Sequence, residues 1–119
     1  MAELKRFDIW IADMNPPLGS EPGKIRPVVI VQSDVLHRFN YPATIVCPIS
    51  SQQKGVSKIR IPVKASEING LKRASSIIID QITAVDLSRL RERIGYLEVE
   101  YRQPLCESIF EILDLANTD

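Results

Sequence analysis

The chain has 119 residues, 45% of them hydrophobic and 25% charged, enough for one core but not two, and no apolar run nears the roughly 20 residues that span a bilayer. Fifteen basic and fifteen acidic residues cancel, which argues against a nucleic-acid partner unless the charges are segregated. Two cysteines without metal-ligand spacing, Cys47 and Cys106, read as reduced core hydrophobes, and the lone His37 excludes a histidine-clustered metal site in one chain while leaving a mixed carboxylate site open.

The opening MAELKRFDIW has no apolar segment followed by a small-residue cleavage site, so the expectation is a cytoplasmic protein without a membrane anchor. Phe7 to Asp13, with Trp10 and two isoleucines, reads as a first strand that stops at Asn15-Pro16-Pro17. Asn15 to Lys24 then forms a loop of about ten residues, longer than an ordinary hairpin connection and therefore a candidate lid or substrate contact.

That loop runs through Arg26-Pro27 into Val28, Val29, Ile30 and Val31, four consecutive β-branched residues. A run of this kind favours a central strand buried on both faces. Arg26 is expected at the strand mouth, restricted to extended angles by Pro27, where packing fixes a cation better than a loop does. Ser33-Asp34 can cap a short helical turn over Val35 to Phe39. Beyond it, Phe39 and Tyr41 beside His37 read either as core-edge aromatics or as a stacking surface for bases in an RNA-binding barrel.

Ala43 to Ser50 reads as a third strand, with Ser50 and Ser51 at its end. Their hydroxyls can donate to a phosphate or satisfy turn backbone. Lys58 to Val63 alternates, with Ile59, Ile61 and Val63 inward. Asn69-Gly70 marks a turn, and Ser76 to Asp80 with Ile82 a further buried strand. Asp86-Leu87-Ser88 begins a helical turn, and Arg93 to Val99 reads as the last strand. From about Glu100 the period changes: Leu105, Ile109, Ile112, Leu113 and Ala116 form one helical stripe, with Pro104 in the first turn.

The charges are segregated after all. Lys54 to Arg73 carries six bases against one acid, whereas Ala74 to Asp119 has four bases against nine acids. Such segments can form opposed faces whose local field attracts phosphate without net positive charge, or the bases can simply solvate strand edges and blunt sheet-to-sheet pairing. Five or six short strands and one terminal helix fit a single mainly β (α+β) domain, a compact, partly open β-barrel with short helices and a C-terminal α-helix.

These residues resemble the MazF/PemK toxins of bacterial toxin–antitoxin modules along nearly the whole chain. The marks are Asp8-Ile9-Trp10, Gly19-Ser20-Glu21 followed by Arg26-Pro27, Ser33-Asp34, Pro48-Ile49-Ser50, and Gly70-Leu71-Lys72-Arg73 leading to Asp80-Gln81. The resemblance implies a small SH3-like barrel that acts as a homodimeric, sequence-specific endoribonuclease on single-stranded RNA, without metal or other cofactor, restrained by a cognate antitoxin. It implies catalytic roles for Arg26, Ser50 and Glu21. RNA contacts fall on Ser20 and Lys24 of the first loop, on Ser51, Gln52 and Lys54 of the second, and on Arg73 and Ser75 after the Gly turn. One branch of the family, Kid, follows that turn with an Arg-x-Asp pair, where this chain has Arg73-Ala74-Ser75. The arginine is kept and that acid is missing.

The chemistry suits the set. RNA cleavage by its own 2′-hydroxyl needs a proton acceptor, donors for the phosphorane oxygens and an acid for the departing 5′-oxygen. Arg26 supplies charge and a bidentate fork, Ser50 a further hydrogen bond, and Glu21 is a candidate base or loop-positioning residue. Two rival classes use a similar scaffold: a non-catalytic poison resembling the gyrase-binding CcdB toxins, and an RNA-binding barrel that does not cut.

Overall fold

The computed structural model describes residues 3–15, 24–52 and 59–119. Among them are seven strands: β1 (Asp8–Asp13), β2 (Ile25–Ile30), β3 (Ala43–Ser50), β4 (Arg60–Val63), β5 (Ser75–Ile78), β6 (Thr83–Asp86) and β7 (Leu90–Tyr96). A one-turn helix α1 (Asp34–His37) follows β2, and helix α2 (Val99–Ile112) follows β7. Every pairing is antiparallel, in the order β4-β5-β3-β2-β1-β7. β4 and β7 end this order and do not pair with each other among the described residues, so the sheet is open.

β2 is central because both its faces are apolar. Val29 belongs to one core, with Ile9, Cys47, Ile49 and Leu105; Val28 and Ile30 belong to the other, with Trp10, Ala12 and Val46. The first core lies under α2, whose Leu105 is fully buried. Cys47 is part of it, and burial pushes its thiol up to about 12, so it is an inert core group. Cys106 is different: it is half-buried and its Sγ accepts from Arg6 Nη2 at 3.2 Å.

β3 carries most of the sheet. One edge pairs with β2 through Val46 to Pro48; the other pairs with β6 through Ala43 to Val46 and with β5 through Ile49 and Ser50. β5 and β6 are thus two halves of one course along β3, interrupted by a 3-10 turn at Ile79–Gln81. The apolar run Ser76 to Ile82 is therefore not one strand: β5 ends at Ile78, the turn follows, and β6 adds a seventh strand to the five or six expected.

Other expectations need correction. Arg26 is the second residue of β2, inside the strand rather than at its mouth. The last strand begins at Leu90 and ends at Tyr96, and Val99 opens the helix. Pro104 is the sixth residue of α2, beyond the first turn, where it lacks an N–H for the Glu100 carbonyl. The helical stripe is only partly covered: Leu105 is buried and Ile109 packs on the core, but Leu113 is 50% exposed. α2 overhangs the sheet at that end.

Several local signals are realised as read. Ser33 caps α1, its Oγ accepting from the Val35 N–H at 3.2 Å. Ile61 and Val63 are buried while Pro62 is exposed, although β4 begins only at Arg60 and Lys58 lies outside the described residues. The 3-10 turn Leu87–Arg89 has Asp86 as its cap. No described helix is long and apolar enough to cross a membrane.

Candidate functional site

Arg26 and Ser50 share a face at one end of the sheet. Arg26 stands opposite Ala12 of β1, whose side chain is in the second core; Ser50 is in phase along β3 with Val46 of that same core. Val28 pairs with Pro48 at the end of the β2–β3 ladder, and Arg26 and Ser50 are the residues two positions beyond that pair on each strand. Arg26 is half-buried, and desolvation lowers its pKa below the ordinary guanidinium value by disfavouring the cation. It remains a cation near neutrality. The Ser50 hydroxyl accepts from the Gln52 N–H at 3.1 Å. That bond uses a lone pair, and the hydroxyl hydrogen can still be donated.

The base of the first loop is pinned on both sides. Lys24 N–H donates to Asn15 Oδ1 at 2.7 Å, Met14 N–H donates to the Lys24 carbonyl at 2.8 Å, and Asn15 N–H donates to Asp13 Oδ1 at 3.0 Å. Arg91 closes on Asp13 Oδ2 at 2.9 Å. Lys24 itself is exposed, with a left-handed φ of 73°. Ser20 and Glu21 in the first loop, and Lys54 in the second, lie outside the described residues.

The opposite face of the same sheet end carries a cavity of about 340 Å³. Ser51, Arg73 and Ser75 line it, together with three residues that sequence reasoning did not single out for a site: Ile11, Glu92 and Ile94. Its floor is the first core at Ile49 and Leu71. The sequence-derived set is therefore divided, Arg26 and Ser50 on one face and Ser51 with Arg73 on the other. Ser75 is buried and its hydroxyl donates to the Arg73 carbonyl at 2.9 Å, so it braces the turn rather than offering a hydrogen to phosphate. Gln52 is exposed beyond β3.

The turn that carries Lys72 and Arg73 is rigid. Asn69 is fully buried; its Nδ2 donates to the Lys64 carbonyl at 2.8 Å and to Glu98 Oε1 at 3.0 Å. Its Oδ1 accepts from Ser66 N–H at 3.1 Å and Leu71 N–H at 2.9 Å. Gly70 follows with φ 73°, and any Cβ there would overlap the Ile94 carbonyl. Lys72 and Arg73 are exposed at the rim. No cluster of three or more potential metal-ligating side chains occurs among the described residues.

His37, beside the candidate stacking residues Phe39 and Tyr41, is a buried link between elements. Its ring side chain is 5% exposed, and it shares hydrogen bonds with Asp34 Oδ1 at 3.0 Å and Thr44 Oγ1 at 2.9 Å, tying α1 to β3. Phe39 and Tyr41 are exposed.

Comparison with known proteins gives consistent results. Residues 5–113 match the family model described as PemK-like, MazF-like toxin of type II toxin-antitoxin system. The chain is 36% identical over 107 residues to Endoribonuclease EndoA of Bacillus subtilis, covering 89% of this chain and 90% of the relative. It is 37% identical over 98 residues to Endoribonuclease MazF of Staphylococcus saprophyticus, covering 79% and 78%. Among solved structures, the Mycobacterium tuberculosis toxin MazF-mt6 superposes with a TM-score of 0.72 at 29% identity over 90% of this chain and 96% of that one. MazF of Deinococcus radiodurans superposes at 0.80 over 96% and 99%, and at 17% identity it attests the fold alone.

Proposed function

We infer the function from the premise that this chain belongs to the PemK-like, MazF-like toxin family of type II toxin–antitoxin systems. It is an endoribonuclease that cuts single-stranded RNA in a sequence-dependent way and is restrained by a cognate antitoxin. The observation that carries this reading is that Arg26 and Ser50 lie in phase with the same core, each two residues beyond the Val28–Pro48 pair that ends the β2–β3 ladder. Relatives above 35% identity that are named endoribonucleases support it over a gyrase poison.

The division of labour follows from the donors. Arg26, held within β2, presents a planar fork to the non-bridging oxygens of the scissile phosphate and stabilises the charge that grows there. Ser50 adds one hydrogen bond, its oxygen already oriented by the Gln52 N–H. The attacking oxygen is the RNA's own 2′-hydroxyl, so the chain need supply no nucleophile and no metal. Glu21, in the loop that Asn15 and Lys24 close at its base, is the candidate proton acceptor. Ser20, Lys24, Ser51, Gln52, Lys54 and Arg73 hold flanking nucleotides, the cations through phosphate contacts that position without reading sequence. Ser75 holds the Arg73 turn.

The working unit is a homodimer of one 119-residue toxin domain in the cytoplasm. The antitoxin presents an acidic and apolar segment to Arg26, Lys54 and Arg73, ordering as it binds. The test is direct. Purified protein incubated with end-labelled single-stranded RNA in excess EDTA is expected to cut at defined positions and to leave gyrase supercoiling unaffected. Loss of supercoiling with RNA intact would overturn the reading.

A further inference from the structure

We propose that the cavity between β7, β1 and the Gly70–Arg73 turn binds a nucleobase bearing an exocyclic amino group, with the Glu92 carboxylate as its acceptor. The proposal rests on the RNA-cleaving reading above and deepens it to base selection. The walls suit the faces of a base. Ile11 and Pro27 are register partners across β1 and β2, and with Ile94 they line the opening above the buried Ile49 and Leu71. Apolar surface of this kind accepts a planar ring of any identity.

Glu92 supplies the discrimination. It stands opposite Ile11 in the β1–β7 register, and a bulge between Leu90 and Glu92 turns it to the cavity face. Its neighbours are already committed: Arg91 to Asp13 at 2.9 Å and Arg93 to Asp8 at 3.1 Å. The Glu92 carboxylate makes no hydrogen bond or ion pair among the described residues.

An ionised carboxylate only accepts hydrogen bonds, and it repels phosphate. What fits beside it is a donor edge: cytosine N4, adenine N6, or the N1–H and N2 amino pair of guanine. Uracil presents a single N–H between two carbonyl oxygens and is disfavoured. Lys72 and Arg73, exposed on the rim, can meet the phosphate that accompanies the base. Pro27 and Ser51 line the cavity and are the chain neighbours of Arg26 and Ser50 on the opposite face, so RNA that passes round this end of the sheet brings a nucleotide near the cut to the cavity. The wall cannot relax to suit another shape, because Gly70 packs directly on the Ile94 backbone and Gly95 on that of Ile68 and Asn69.

The test uses a randomised RNA library cleaved to low conversion by the parent, Glu92→Gln and Glu92→Ala, each checked for folding by circular dichroism. The parent should favour an amino-bearing base over uracil at one position flanking the cut by about 10-fold. Glu92→Ala should lose that preference, Glu92→Gln, whose amide donates as well as accepts, should admit uracil too, and both should keep the preferences elsewhere. Replacing the favoured base by its counterpart lacking the amino group (uracil for cytosine, inosine for guanine, purine for adenine) should mimic the variants and identifies which base is held. A second arm measures binding of uncleavable oligonucleotides, deoxy at the cut site, by fluorescence anisotropy. Identical base profiles for parent and Glu92→Ala in either arm overturn the proposal. If the parent cuts no RNA, the endoribonuclease reading fails on its own, and the binding arm still decides the base-binding claim.

Discussion

The Asn69 side-chain amide donates to the Glu98 carboxylate at 3.0 Å, joining the turn before β5 to the N-terminus of α2 across 29 residues of sequence. Ser66 Oγ donates to the other Glu98 oxygen at 2.8 Å. A buried amide whose donors and acceptor are all occupied holds one geometry, since any displacement strands polar groups away from water. This is the physical reason that Lys72 and Arg73, two exposed cations on an irregular segment, have a defined position over the cavity.

Asn69→Ala removes four side-chain hydrogen bonds and leaves the Lys64 carbonyl and the Leu71 N–H without those partners. Unsatisfied groups in such a site cost about 3 kcal/mol together. Urea unfolding should show a lower midpoint with an unchanged slope. A loss below about 0.5 kcal/mol would mean that the turn is held by something other than this network.

Arg26→Ala should lower RNA cleavage by about 10²-fold or more in single-turnover assays, by analogy with removal of one oxyanion-type donor. Far-ultraviolet circular dichroism should match the parent. Ser50→Ala should cost less, since its hydroxyl is neutral and water can occupy the space. An order reversed between these two variants would give Ser50 the leading role.

The nucleophile can be tested on the substrate. An RNA with a single 2′-deoxy nucleotide just 5′ of the cut should bind with parent affinity and resist cleavage, because phosphate and base contacts survive while the attacking oxygen is gone. The normal products should carry a 5′-hydroxyl downstream and a 2′,3′-cyclic phosphate or its hydrolysis product upstream. Undiminished cleavage of the deoxy substrate points instead to water attack.

Stability should fall in acid. Burial alone would raise Asp34, but the Arg6 N–H at 2.7 Å and the His37 ring outweigh it and lower the pKa. The Asn15 N–H and Arg91 lower Asp13, and the Ser88 N–H lowers Asp86. A carboxylate depressed by folding stabilises fully above its unfolded pKa, near 4, and loses that contribution as pH falls through its folded value. Asp34→Asn should therefore be less stable than the parent near neutrality, and the gap should close below about pH 4 in urea midpoints recorded across pH. A gap that widens in acid would contradict the assignment.

The strands with a strong local signature were legible in order. Val28 to Ile30, β-branched and unbroken, had to be buried on two faces, and Ser33 had to cap whatever followed it. Arg26 was legible as a candidate cation from its place before the central strand, whereas the role given to Ser50 beside it came from the resemblance to the MazF/PemK toxins. Their mutual placement depended on β2 and β3 pairing.

Sequence by itself determined the kind of fold, the central strand and the candidate cation before it, since these depend on local propensity and side-chain chemistry, while the hydroxyl rested on the family resemblance. Tertiary structure alone decided which face each group occupies. A period-two reading places Leu90, Glu92 and Ile94 together, yet the β7 bulge leaves Leu90 in the second core and turns Glu92 to the cavity with Ile11. One inserted residue reverses the alternation without any mark in composition. The helix stripe beyond Ile109 shows the same limit: its periodicity was real, but whether apolar residues are buried depends on how far the sheet beneath them extends.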